Sequence, residues 1–195
     1  MPASVTVFDV VEKRKEWAES ITHDQLEHLV FLDESGVNID MTRRYGRARS
    51  SERCVDHAPL NTPQTTTVLS SIRFNGEKAF TTYQGGTTGE RFVAYLKEVL
   101  LPTLHPGDIV VMDNMRSHHV KEVKELLEEK KMVLLYLPPY SPDLNPIEKM
   151  WSKVKAILRS WKIRTLDALP NAIRRALDLV SAQDCQHWFA ASNYC

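Results

Sequence analysis

The sequence predicts an α/β domain, a mixed central sheet with helices on both faces, and three observations carry that reading. Short apolar runs of strand length recur at 29–32, 109–112 and 132–137, longer stretches place apolar residues every three or four positions, and one Asn-Gly pair sits between two β-rich runs. The chain has 195 residues, 43% hydrophobic and 26% charged. That is enough for one core and too short for two ordinary ones, and it is unlike a disordered, collagen-like or coiled-coil composition. Lys plus Arg is 25 and Asp plus Glu is 25, so a nucleic-acid partner has to be argued from local patches. Cys54, Cys185 and Cys195 have no paired spacing, which argues against a disulfide framework or a four-thiolate zinc site and fits a reducing cytoplasm. Nowhere do 18 apolar residues run together and the N-terminus lacks a signal-peptide core, so neither export nor a membrane partner is expected.

Residues 1–28 are largely polar and charged and read as a lead-in or linker ahead of a domain spanning 29–195. LVFLDESG at 29–36 is an apolar run stopped by acidic residues and a glycine, a buried strand ending in a turn. The β-branched and aromatic runs 65–74 and 77–84 flank Asn75-Gly76 and should pair as a hairpin. Thr87 and Glu90 have capping-box spacing, and the periodicity of Phe92, Tyr95, Leu96, Val99 and Leu100 predicts a helix to about Leu104. His105-Pro106-Gly107 breaks it, and DIVVMDN reads as a central strand covered on both faces. Val120, Val123 and Leu127 mark a helix over 118–131, MVLLYL a further buried strand, and two apolar stripes, from Pro146 to Trp161 and from 166 to 180, two more helices.

Three carboxylates stand where elements end: Asp33 after LVFL, Asp113 after IVVM, and Glu148 just inside a helix. If the first and fourth strands are neighbours, the two aspartates converge at one sheet edge, where open α/β folds place their sites. A carboxylate cluster without thiolates suits hard cations such as Mg²⁺ or Mn²⁺, and two such ions clamp the attacking and leaving oxygens of a phosphodiester. Plain structural readings compete. An Asp at a strand end is often a turn residue, and Glu148 can complete a capping box with Asn145, the N-cap ahead of Pro146.

LVFLDESG, RRYGRA (43–48), IVVMDNMRSHH (109–119) and YLPPYSPDLNPIEKMWSKVK (136–155) resemble the catalytic domain of DDE-type transposases of bacterial insertion sequences, in the mariner-like superfamily. The resemblance runs from about residue 10 to the C-terminus, and the 34 residues between Asp113 and Glu148 match the spacing of this branch. It implies a ribonuclease-H-like fold in which Asp33, Asp113 and Glu148 hold two divalent metals, Mg²⁺ or Mn²⁺, with Asp33 bridging them. The implied activity is metal-dependent DNA strand cleavage followed by 3′-hydroxyl strand transfer. Asn114 and His118 match family positions and are expected to support ligands or face phosphates, with Asn145 counted beside them as a supporting residue. The implied partners are DNA, both element ends and a target that is usually TA, with a homodimer as a further expectation.

Two departures qualify the resemblance. The helix-turn-helix modules that precede the domain in relatives are not matched, so a fragment or a separate helix-turn-helix polypeptide is expected, and Arg49-Ser50-Ser51 replaces the usual basic-Gly pattern after RRYGRA. A ribonuclease-H-like nuclease without strand transfer, or a catalytically idle DNA-binding or dimerisation fragment, stays open beside the transposase. The expected location is the cytoplasm, on the nucleoid.

Arg43, Arg44, Arg47, Arg49 and Arg53 form a patch suited to phosphates, and of Lys149, Lys153, Lys155 and Arg159 on the helix after Glu148 those near its start, Lys149 and Lys153, are further candidates for the DNA backbone. Gly85 to Gly89 lacks the Lys-Ser/Thr ending of a P-loop and reads as a glycine turn. Trp151 and Trp161 fall on the apolar stripe and are expected in the core or an interface.

Overall fold

The computed structural model describes residues 7–60 and 64–194, so the first six residues of the predicted lead-in and Cys195 lie outside the described residues. Five strands form one mixed sheet in the order β3-β2-β1-β4-β5: β1 (Leu29–Val37), β2 (Thr66–Arg73), β3 (Phe80–Gln84), β4 (Ile109–Met112) and β5 (Val133–Tyr136). β1 pairs antiparallel with β2 and parallel with β4, and β4 pairs parallel with β5. The first and fourth strands are therefore neighbours, as the site argument required.

Successive strand residues point to opposite faces, and each face has its own core. Leu29, Phe31, Ile109 and Val111 pack with helices α4 (Pro146–Trp161), α5 (Leu169–Asp178) and α6 (Ala182–Ala190). Val30, Leu32, Val110 and Met112 pack on the other side with α2 (Gly89–Tyr95) and α3 (Lys121–Glu129). α4 seats Ile147, Met150, Trp151, Val154 and Leu158, the predicted stripe, and ends at Lys162 in a left-handed conformation (φ +52°). Phe31 meets Phe189 edge-on with centroids 5.3 Å apart, so α6, which the sequence reading did not delimit as a helix, covers the central strand.

The 1–28 segment, read as a lead-in, carries regular structure. Residues Val7–Ser20 form a helix, α1, and its buried Trp17 donates from Nε1 to the Tyr194 hydroxyl at 2.9 Å. Tyr194 in turn donates to the Leu144 carbonyl at 2.6 Å. A helix with a thin apolar face is marginal alone and is held by such tertiary contacts, which periodicity does not register. The hairpin forms at Asn75-Gly76, where Gly76 has φ +91° and an added Cβ would lie 2.8 Å from the Ala182 backbone, so glycine is required twice over. The regular strand starts at Phe80, later than the predicted 77, where the Ala79 N–H is given to the Ser71 hydroxyl in place of a backbone carbonyl across the hairpin. The cap of α2 is Thr88, one residue after the predicted Thr87, whose hydroxyl is instead paired with Tyr83. The helix widens over Leu96–Leu100 and tightens over Leu101–Thr103, where Pro102 cannot donate to the preceding turn. Among the described residues no helix is long and apolar enough to cross a membrane.

One ion pair is buried at the opening of β4. Arg73 Nη2 lies 2.5 Å from Asp108 Oδ2 and 3.1 Å from the Thr103 carbonyl, and the His105 N–H donates to the same carboxylate at 2.7 Å. Burial pushes the Asp108 carboxyl up, but the Arg73 and His105 hydrogen bonds outweigh it and hold the group below its ordinary range.

Candidate active site

The strand parity that builds the cores also aims the carboxylates. Asp33 continues the series Leu29, Phe31, and Asp113 continues Ile109, Val111, so both lie on the α4 side of the sheet. Phe31 pairs with Val111 at the end of the β1–β4 ladder, and each aspartate follows its member of that pair by two residues. Glu148 stands in the first turn of α4. The three carboxylates line one cavity of about 460 Å³ together with Asn114, Tyr140 and Asn145.

Asp33 is buried and accepts from Trp151 Nε1 at 3.1 Å. Burial pushes its carboxyl up to about 7, against the Glu34 backbone N–H, and the negative charges of Glu148 and Asp113 add to the rise. Asp113 moves the other way: burial raises it, but hydrogen bonds from His118 and the Met115 N–H hold it below the ordinary range. His118 is fully buried, with Nδ1 2.8 Å from Asp113 Oδ1 and Nε2 3.2 Å from Glu34 Oε2. Burial alone would lower it, yet the two carboxylates raise it to about 9. Lys155, two turns along α4, is pulled down by burial while the charges of Glu148 and Asp33 act in the opposite sense.

This donor set fits hard divalent cations. It is all oxygen, its negative charges raise one another's cost at Asp33, and Asn145 adds a buried Oδ1 that has no hydrogen-bond partner among the described residues. The carboxylates ring the cavity and are not drawn onto one point: among the described residues no three His, Cys, Asp or Glu side chains crowd closely enough to grip a single ion.

The capping box predicted for Glu148 is absent. Asn145 sits at the N-cap position without a side-chain cap, and its N–H is already donated to the Pro142 carbonyl at 3.1 Å. A tight turn over Pro142–Leu144 consumed the donor that Glu148 would have reached, which leaves the exposed Glu148 carboxylate to the cavity.

Asn114 donates to the Leu137 carbonyl at 2.6 Å, tying the end of β4 to the chain after β5. Lys149 and Lys153 reach away from Glu148, to Ser192 Oγ at 2.7 Å and Asp184 at 2.5 Å. Arg43, Arg44, Arg47, Arg49 and Arg53 are all exposed on the loop between β1 and β2. That loop is pinned by Arg164, which donates to the carbonyls of Ile39, Met41 and His57, and by Lys162 on Asp56 at 2.7 Å. The sequence reading expects Trp151 in the core or an interface, Lys155 among the cations of the helix after Glu148, and Glu34 only as a substitute third carboxylate, so the contact between Glu34 and His118 is new in the structure. Trp151 and Lys155 were traceable as the positions three and seven residues after Glu148 on one helical face, whereas no spacing links Glu34 to His118.

Comparison with known proteins gives a family and a shared fold. The family model described as DDE superfamily endonuclease matches residues 28–170. The transposase of transposable element Tcb2 from Caenorhabditis briggsae is 33% identical over 78 residues, covering 36% of this chain and 28% of that protein. The Mos1 transposase paired-end complex with left transposon end superposes with a TM-score of 0.72 at 16% identity, over 97% of this chain and 60% of that one. The mariner Mos1 paired end complex with Mg gives 0.72 at 15% identity, over 100% of this chain and 63% of that one. The chain thus spans about three fifths of those Mos1 chains, and its match covers under a third of the nematode protein.

Proposed function

This chain belongs to the DDE superfamily endonucleases, and from that premise we propose that it is the catalytic core of a DNA transposase that cleaves element ends and joins their 3′-hydroxyls to target DNA. The observation that carries the proposal is the meeting of Asp33, Asp113 and Glu148 on one cavity. Two Mg²⁺ or Mn²⁺ ions held by these carboxylates would supply activation of the attacking oxygen and charge stabilisation at the leaving oxygen of an in-line displacement. Asp33, held by Trp151, would serve with Asp113 and Glu148 as the oxygen donors that hold the ions. In the first step water attacks the phosphodiester and the 3′-oxygen leaves; in the second that 3′-hydroxyl attacks and the target 3′-oxygen leaves. Support for metal and DNA comes from relatives solved with Mg and with a transposon end.

The direct test is Glu148→Gln in a plasmid-nicking assay with Mg²⁺ or Mn²⁺, beside Asp113→Ala. Glutamine is a poor ligand for a hard cation, no cap is lost and a charge beside Asp33 is removed, so metal-free thermal unfolding should come no earlier than in wild type. Nicking should fall at least about a hundredfold, roughly 2.7 kcal/mol of transition-state stabilisation. Equal nicking by wild type and both variants would sink the assignment. An oligonucleotide with a free 3′-hydroxyl separates a transposase from a nuclease, which would cut without joining.

The arginine loop is proposed to hold phosphates without reading bases. Replacing Arg43, Arg44 and Arg47 by Ala should weaken binding equally across sequences, each lost contact lowering the log–log salt slope by about 0.9; an unchanged slope returns the loop to a solvated turn. A bacterial insertion-sequence origin, a TA target, a homodimer and a separate helix-turn-helix polypeptide belong to the same proposal. Terminal inverted repeats bounded by TA duplications in the DNA flanking the gene would support origin and target together.

A further inference from the structure

We infer that Glu34, a carboxylate on the far face of the sheet from the cavity, is a positioning residue that acts through His118 to decide which oxygen of Asp113 faces the cavity; this rests on the metal-dependent reading of the site above. Neighbouring strand residues point to opposite faces, so while Asp33 lies with α4, Glu34 turns toward α2. There it meets His118 of the turn Arg116–His119, which has no exposed surface and whose ring lies against Phe92 with centroids 4.3 Å apart.

The imidazole spans the sheet edge. Nε2 is 3.2 Å from Glu34 Oε2, and Nδ1 is 2.8 Å from Asp113 Oδ1 and 3.3 Å from the Asp113 carbonyl oxygen. The Met115 N–H also donates to Asp113 Oδ1, at 3.0 Å. Oδ1 therefore accepts from the Met115 N–H and lies against the His118 ring nitrogen as an ion pair, and Oδ2, which has no partner among the described residues, is the oxygen left for the cavity.

Glu34 is needed for this because a histidine ring held at one nitrogen alone can turn or adopt the tautomer whose bare Nδ1 repels Asp113. With its side chain 12% exposed, Glu34 meets the far nitrogen and fixes the ring at both ends. Glutamine could still hold the ring, since its amide can pair with Nε2 in either protonation state. Alanine or methionine could not.

The experiment measures Mn²⁺ affinity of the full chain without DNA, by water-proton relaxation, for wild type, Glu34→Ala, Glu34→Gln and Asp113→Ala. Ring ¹⁵N resonances of His118 and thermal unfolding are recorded alongside. Glu34→Ala should weaken Mn²⁺ binding about 10- to 100-fold at a temperature where it is folded, and should shift the His118 resonances. Glu34→Gln should recover most of the loss. If Ala does not fold, Glu34→Met, which matches the length without any polar group, should show the same weakening. Mn²⁺ binding equal to wild type in a folded Ala or Met variant would overturn the inference and leave Glu34 as a packing residue. A wild type that neither binds Mn²⁺ nor nicks plasmid would instead overturn the metal-dependent reading, and this inference with it.

Discussion

Asp33→Asn is expected to make the metal-free protein more stable at pH 8 while reducing DNA cleavage to background. The folded carboxyl sits at about 7 against an ordinary 3.8, because burial and the charges of Glu148 and Asp113 penalise its ionised form. A folded value above the unfolded one means the native state holds the proton more tightly between the two. Stability is therefore highest below about pH 4 and is lost as pH rises through about 7, a cost on the order of 4 kcal/mol once Asp33 is ionised. Asparagine occupies the same space, can still accept from Trp151, and carries no charge. Its advantage should amount to roughly ten degrees in Tm at pH 8 and shrink toward pH 4. Paired melts with a chelator present check this, and an Asn variant that melts at or below wild type at pH 8 would contradict it. Added Mn²⁺ should stabilise wild type at pH 8 and leave the variant unmoved, since the variant lacks the carboxylate proposed to hold the ion.

The Arg73–Asp108 pair should give the other large effect, on stability alone. Asp108→Ala leaves a buried guanidinium with its counter-ion gone, and removing one partner of a buried pair costs about 3–5 kcal/mol. The double change Arg73→Met with Asp108→Leu removes both charges and should recover most of that loss, which urea unfolding of the three variants would measure. Asp108 precedes β4 and Asp113 follows it, so the pair lies at the strand end away from the cavity. Nicking by the folded fraction should be unchanged. A loss below about 1 kcal/mol for Asp108→Ala would mean that water reaches the guanidinium.

The α/β class, the apolar strands β1 and β4, the stripe of α4 and the three carboxylates with their spacing were legible in the chain, because each is written in local periodicity or in a contiguous motif. Strand parity also set Asp33 and Asp113 on the faces of Phe31 and Val111. Tertiary structure alone decided the rest. α1 is a helix because Trp17 finds Tyr194, 177 positions away, and the cap predicted for Glu148 fails because Pro142 takes the Asn145 N–H. Glu34 belongs to the site because His118 crosses the sheet edge to reach it, 84 positions back along the chain. The physical reason is common to all three: a donor, an acceptor or an apolar face is used by whichever partner the folded chain brings within about 3 Å, and neither propensity nor spacing encodes a competition between partners so distant in sequence.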